Sequence, residues 1–161
     1  DQARTYLPSM LAQAVELARP YNVQLAFEPL HPMVCGFRSI VSSLGEALDL
    51  LDAIGHADDI GLAIDTYSLW WEDQLDQKLC HAGDRILNYH VSDWLPDTSD
   101  LRLDRGMPGD GQINLLQWRG SLEQAGYWGP VEIEIFSRDR WWKQTPESML
   151  RLVVERLNVT Y

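Results

Sequence analysis

The chain reads as an α/β fold in which four parallel strands alternate with helices as part of a closed barrel. Three observations predict it. Strand-like and helix-like apolar periodicities alternate along the whole sequence. Each strand has one apolar face and one face of small or polar residues. Each of those polar faces ends in an acid or a histidine.

Leu7, Leu11, Ala14, Val15 and Ala18 recur at helical spacing, and Pro20 closes this first helix. The stretch Val23 to Pro29 is apolar and extended, which predicts a strand. Ser43-Leu44-Gly45-Glu46 has the Ser-x-x-Glu form of a capping box, and the helix behind it carries Ala47, Leu48, Leu51 and Ile54 until Gly55 stops it. The pattern recurs with a strand from Ile60 to Thr66, a helix with Leu75, Leu79 and Ala82 ending at Gly83, and a strand from Arg85 to Val91. Asn114 caps a helix through Leu115, Leu116, Leu122 and Ala125, and Gly126 breaks it before a strand from Pro130 to Phe136. Thr145 and Pro146, as cap and first helical residue, begin a last helix with Met149, Leu150, Val153 and Leu157.

Alternating strands and helices imply βαβ units and a parallel sheet. A doubly wound nucleotide fold would carry a Gly-rich turn after its first strand, but Glu28-Pro29-Leu30-His31-Pro32 stands there. A complete eight-stranded barrel needs about 250 residues. These 161 residues supply half of one, as a single domain from residue 1 to 161.

Residues two apart in a strand share a face. Leu25 and Phe27 oppose Gln24, Ala26 and Glu28; Leu62 and Ile64 oppose Gly61, Ala63 and Asp65. Leu87 and Tyr89 oppose Asn88 and His90, and Val131, Ile133 and Ile135 oppose Glu132 and Glu134. The apolar faces suit covering helices. In a parallel barrel the other faces form the interior, and their last residues lie at the C-terminal mouth, where active sites form. Three carboxylates and one imidazole make a mixed oxygen and nitrogen set suited to Mn²⁺, Mg²⁺, Co²⁺ or Zn²⁺. Without a cation, convergent acids repel one another.

Composition excludes several function classes. Thirteen Lys and Arg against 24 Asp and Glu give a formal charge of -11, which repels a nucleic-acid backbone. No apolar run approaches the roughly 20 residues that span a bilayer, and no basic segment with an apolar core marks a secretory signal. The expectation is a cytoplasmic protein with no membrane or nucleic-acid partner. Cys35 and Cys80 fall in no CxxC pairing and read as buried thiols.

The segments LAFEPLHPM, IGLAIDTYSLWWE, ILNYHVSDW, DRGMPGDGQIN and AGYWGPVEIEIF resemble the xylose-isomerase-like TIM barrel superfamily, specifically the sugar phosphate isomerase/epimerase family. They stand in the family's order for the C-terminal half of the (β/α)8 barrel. The resemblance implies a divalent-metal-dependent isomerase or epimerase acting on a sugar or sugar phosphate. It makes Glu28, Asp65, His90 and Glu134 the metal ligands, and Glu28 and Glu134 also the proton-transferring acids. Arg105, in an Arg-x-x-Pro-Gly-x-Gly stretch, becomes a substrate contact. Where the family often has a substrate-contacting His three residues after the Asp that Asp65 matches, this chain has Ser68, a departure that leaves the four ligands in place.

His31, just after the first strand, is expected either to line the pocket or to be a loop residue beside Pro32. His56 and His81 sit at helix ends, where a solvated His meets the helix dipole favourably. Trp70, Trp71, Trp141 and Trp142 are expected to pack loops and helix starts, or to stack on a sugar ring. Competing readings are a dehydratase or repair endonuclease of the same superfamily, or a half barrel that binds metal or sugar without catalysis. A four-stranded half leaves two strand edges to cover, which predicts a homo-oligomer or a separate N-terminal half.

Overall fold

Side-chain caps start most of the long helices, and the strands between them form one sheet. The computed structural model describes residues 2–55 and 58–160; His56 lies outside them. The strands are β1 (Leu25–Phe27), β2 (Ile60–Asp65), β3 (Ile86–Val91) and β4 (Val131–Ile133), all parallel and in the order β1-β2-β3-β4. The helices are α1 (Gln2–Ala18), α2 (Leu44–Ile54), α3 (Thr66–Leu69), α4 (Leu75–Ala82), α5 (Leu115–Gln124) and α6 (Pro146–Thr160). Sequential parallel strands joined by helical crossovers are the partial (β/α) barrel that the sequence predicts.

Three caps work as the sequence indicates. Ser43 Oγ accepts the Glu46 N–H at 3.1 Å, Asn114 Oδ1 accepts the Gln117 N–H at 3.2 Å, and Thr145 Oγ1 accepts the Ser148 N–H at 3.3 Å. The return arm of the capping box differs, because Glu46 Oε2 accepts the Ser42 N–H rather than that of Ser43. Gly55, at φ 74°, ends α2 in the left-handed region open to glycine. The short α3 was outside the sequence pattern; Asp65 Oδ1 caps it by accepting the Tyr67 N–H at 2.9 Å.

The core lies between the sheet's outer face and the helices. Leu62 and Ile64 of β2 and Tyr89 and Val91 of β3 pack there with Val15, Leu44, Leu48, Leu51, Leu79, Trp118 and Leu122. β2 is buried along its whole length. β1 and β4 are shorter than the apolar runs that predict them, because each pairs on one side only; beyond β4, the Glu134 N–H still reaches Val91 O at 3.1 Å.

One strand breaks the simple alternation. The β2–β3 register shifts between Leu62 and Ala63, so that Leu62 pairs with Ile86 while Ala63 pairs with Asn88, and Leu87 is the extra residue. Ile86 takes the outward place in the core. Leu87, expected outward beside Tyr89, instead lies over Gly61: a Cβ on Gly61 would stand 2.6 Å from Leu87 Cγ. The bulge corrects the parity reading at this residue and preserves it at Asn88 and His90.

Cys80 is exposed and Cys35 half-buried; both are free, so neither is the buried thiol expected. His81 is exposed in the last turn of α4. The outer helices keep apolar residues in solvent, with Met10 and Leu17 of α1 and Leu150, Val154 and Val159 of α6 all more than half exposed. Among the described residues, no helix is long and apolar enough to cross a membrane.

Candidate metal and substrate site

At the C-terminal ends of the strands the inward residues meet. Glu28 directly follows β1, Asp65 ends β2, His90 is the penultimate residue of β3, and Glu134 follows β4. Glu28, His90 and Glu134 each offer a ligand atom, and these atoms lie within 4.8 Å of one another. Asp65 is fully buried beside them but is engaged elsewhere. Its Oδ1 caps α3, and its Oδ2 takes a hydrogen bond from Arg105 Nη1 at 2.9 Å and lies 3.5 Å from Ser68 Oγ. The structure thus brings three of the four predicted ligands into one group and holds the fourth on an arginine.

Arg105 is the cation of this cluster. Its Nη1 also donates to Glu134 Oε2 at 2.9 Å and to Glu134 O at 3.3 Å. The guanidinium lies 4.5 Å from the Tyr67 ring centroid and 5.1 Å from that of Phe136, an aromatic sandwich for a planar cation. The position is set by backbone pairing, since the Arg105 N–H donates to Phe136 O at 2.9 Å. Asp93 organises the same loop, with its carboxylate accepting N–H groups from Trp94, Gly109, Gly111 and Ile113 at 2.8–3.0 Å.

The electrostatics follow from the crowding. Burial, then the charges of Asp65 and Glu134, push the Glu28 carboxyl up to about 7, against the opposing pull of Arg105 and Arg38. His90 Nδ1 is buried with no hydrogen-bond partner among the described residues and lies 4.0 Å from Glu134 Oε2. Its Nε2 lies 3.0 Å from Asn88 Nδ2, which also donates to Glu132 Oε1 at 3.1 Å. Glu132 is exposed on the open interior face, so its charge is solvated as well as paired with Asn88. An unpartnered imidazole nitrogen among crowded carboxylates fits a divalent cation: the donors are of the right kind, and a positive ion would relieve the repulsion.

A cavity of about 230 Å³ adjoins this cluster. His31, 8% exposed, lines it; Nδ1 accepts the Met33 N–H at 3.2 Å and the ring stacks on Trp94 at 4.7 Å. Burial lowers the His31 pKa, so the ring is neutral and Nε2 carries its proton. Ser68 also lines the cavity, as do Arg105 and Trp142. Trp71 packs edge-on against His31, and Trp70 and Trp141 lie outside the lining. Sequence reasoning missed Arg38, Tyr67, Trp94, Arg102 and Phe136, which share the lining. Tyr67 lies in the four-residue α3, too short to show a period, and the others come from loops, where no periodicity marks the side that faces a cavity.

A sequence profile described as xylose isomerase-like TIM barrel matches residues 1–152. An inosose isomerase of Halalkalibacterium halodurans is 30% identical over 151 residues, which are 89% of this chain and 50% of that protein. The crystal structure of protein SMc04130 from Sinorhizobium meliloti 1021 superposes with a TM-score of 0.94 at 41% identity, over 99% of this chain and 58% of that one. The IOLI protein, solved with a zinc atom, superposes with a TM-score of 0.78 at 24% identity, over 93% of this chain and 53% of that one. The chain therefore spans about half the length of the curated relatives it matches.

Proposed function

The chain belongs to the xylose isomerase-like TIM barrel family, and from that premise we propose that it forms the metal- and proton-handling half of a divalent-metal-dependent sugar isomerase or epimerase. The observation that carries this reading is the convergence of Glu28, His90 and Glu134 beside the buried Asp65–Arg105 pair. Inosose isomerases among the relatives support the reaction class. Because the chain spans about half of those relatives, the reaction belongs to the barrel that these four strands form with their complement.

Glu28, His90 and Glu134 would hold the ion, with Asp65 as the fourth ligand; Mn²⁺, Mg²⁺, Co²⁺ and Zn²⁺ all suit such donors, and zinc is the ion in the IOLI structure. When bound, a divalent ion supplies positive charge against the negative oxygens of an enediolate. Glu28, at the mouth end of β1 within 4.8 Å of the Glu134 and His90 ligand atoms, is placed to take a proton from the carbon beside a carbonyl and to give one back. Glu134 exchanges a proton with the same substrate from the other side. Arg105, hydrogen-bonded to Glu134, keeps that carboxylate oriented. Return of the proton to the opposite face epimerises the carbon; return to the neighbouring carbon interconverts aldose and ketose. His31, with its Nε2 proton, and Ser68 are substrate contacts within the cavity.

The test is solvent deuterium exchange into a ketose, followed by NMR in the presence of Mn²⁺ or Mg²⁺. Glu134→Gln should abolish exchange and weaken, not eliminate, metal binding measured by calorimetry. Unchanged exchange in that variant would remove Glu134 from the reaction.

A further inference from the structure

Cations are scarce in this chain, and nearly all sit in ion pairs. Among the described residues only Arg38, Arg102 and Arg151 make none. Arg38 and Arg102 line the same cavity, the one that adjoins the acid cluster. They reach it from different loops: Arg38 follows β1, and Arg102 precedes Arg105 in the segment after β3. The Arg102 guanidinium lies 5.9 Å from the Phe37 ring centroid, which draws the second loop toward the first beside Arg38.

In a chain of charge -11, two uncompensated guanidinium groups on one cavity wall are not an average outcome of composition. Exposed arginines ordinarily find the abundant carboxylates, as Arg4, Arg119, Arg138 and Arg140 do. The wall also offers Tyr67, Trp94, Phe136 and Trp142, aromatic surfaces suited to the apolar face of a sugar. Its inner end is Arg105, which contacts Asp65 and Glu134.

We propose that this cavity is an anion subsite in which Arg38 and Arg102 bind a phosphate or carboxylate at the far end of the sugar. The carbonyl end of that sugar then faces Glu28 and Glu134. The assignment rests on the sugar-handling reading above and narrows its substrate class to acidic sugars. Arg is the residue suited to such groups, because its planar fork gives two parallel charge-assisted hydrogen bonds to either oxyanion.

Calorimetric titration of the purified protein at fixed ionic strength tests this, with D-fructose, D-fructose 6-phosphate and D-fructuronate as probes. At least one charged ketose should bind about tenfold or more tightly than fructose, the size of a charge-assisted hydrogen bond. The stronger of the two identifies phosphate or carboxylate as the preferred group. In the double variant Arg38→Gln/Arg102→Gln the advantage should shrink to about twofold or less, with fructose binding and the thermal melt unchanged. Equal binding of all three probes, or an advantage that persists in the double variant, would overturn the subsite. Solvent exchange separates the two readings. Exchange on fructose without any preference for charge sinks the subsite alone, whereas a preference lost in the double variant without exchange sinks only the proposed reaction.

Discussion

The Nη1 of Arg105 stands 2.9 Å from Oε2 of Glu134 and thereby ties the end of the sheet to the loop after β3. The same nitrogen holds the fully buried Asp65. Removing one partner of a buried charge cluster leaves the others uncompensated, which costs about 3 kcal/mol. Arg105→Gln should lower the stability of the metal-free protein by that order in urea unfolding. Addition of Mn²⁺ or Zn²⁺ should recover part of the loss, and a variant as stable as the parent would show that the cluster is solvated.

Glu28 gives the metal-free protein a pH dependence of definite sign. Its folded pKa, about 7, lies above the ordinary 4.5. The native state therefore holds a proton that the unfolded chain has released, and stability from this group is full below about 4.5 and lost as pH rises through 7. The fall is at most about 3 kcal/mol. Glu28→Gln should flatten the stability profile between those limits, measured by denaturant titration across pH. A variant profile parallel to that of the parent would assign the slope to other groups.

Asp93 predicts a local effect. Its carboxylate satisfies four backbone N–H groups of the segment that carries Arg105. Asp93→Ala orphans those donors and should cost at least about 3 kcal/mol. Amide hydrogen exchange should accelerate at Gly109, Gly111 and Ile113 before it does in α2. Equal acceleration everywhere would mean that the loop unfolds only with the whole protein.

Gly61 lies where backbone and side chain approach too closely for a methyl group. A Cβ there would strike Arg85 O and stand 2.6 Å from Leu87 Cγ. Gly61→Ala should destabilise by about 1–3 kcal/mol, and Gly61→Val by more, in thermal or urea unfolding. An alanine variant with unchanged stability would mean that the start of β3 yields easily.

The sequence made strand order, helix caps and the inward ends of the strands legible because each depends on local spacing. Ser43, Gly55 and Asn114 act through partners within four residues. Glu28, His90 and Glu134 converge as parity requires. Leu87 was not legible, since a bulge arises from the pairing of two strands and leaves no period of its own. Asp65 was placed at the right strand end, but its engagement with Arg105 depends on a loop forty residues away. Arg38 and Arg102 were invisible for a similar reason, because only tertiary structure shows which cations lack a carboxylate.

The extra residue at Leu87 has a consequence for changes in chain length. The β3 register resumes at Asn88 as though Leu87 were absent, since Leu62 faces Ile86 and Ala63 faces Asn88. Deleting Leu87 would leave Ile86 outward and His90 inward, whereas deleting Tyr89 would turn one end of the strand over. The bulge therefore works as slack in the strand: the loss of one residue at its base is absorbed without rotating the imidazole at its tip.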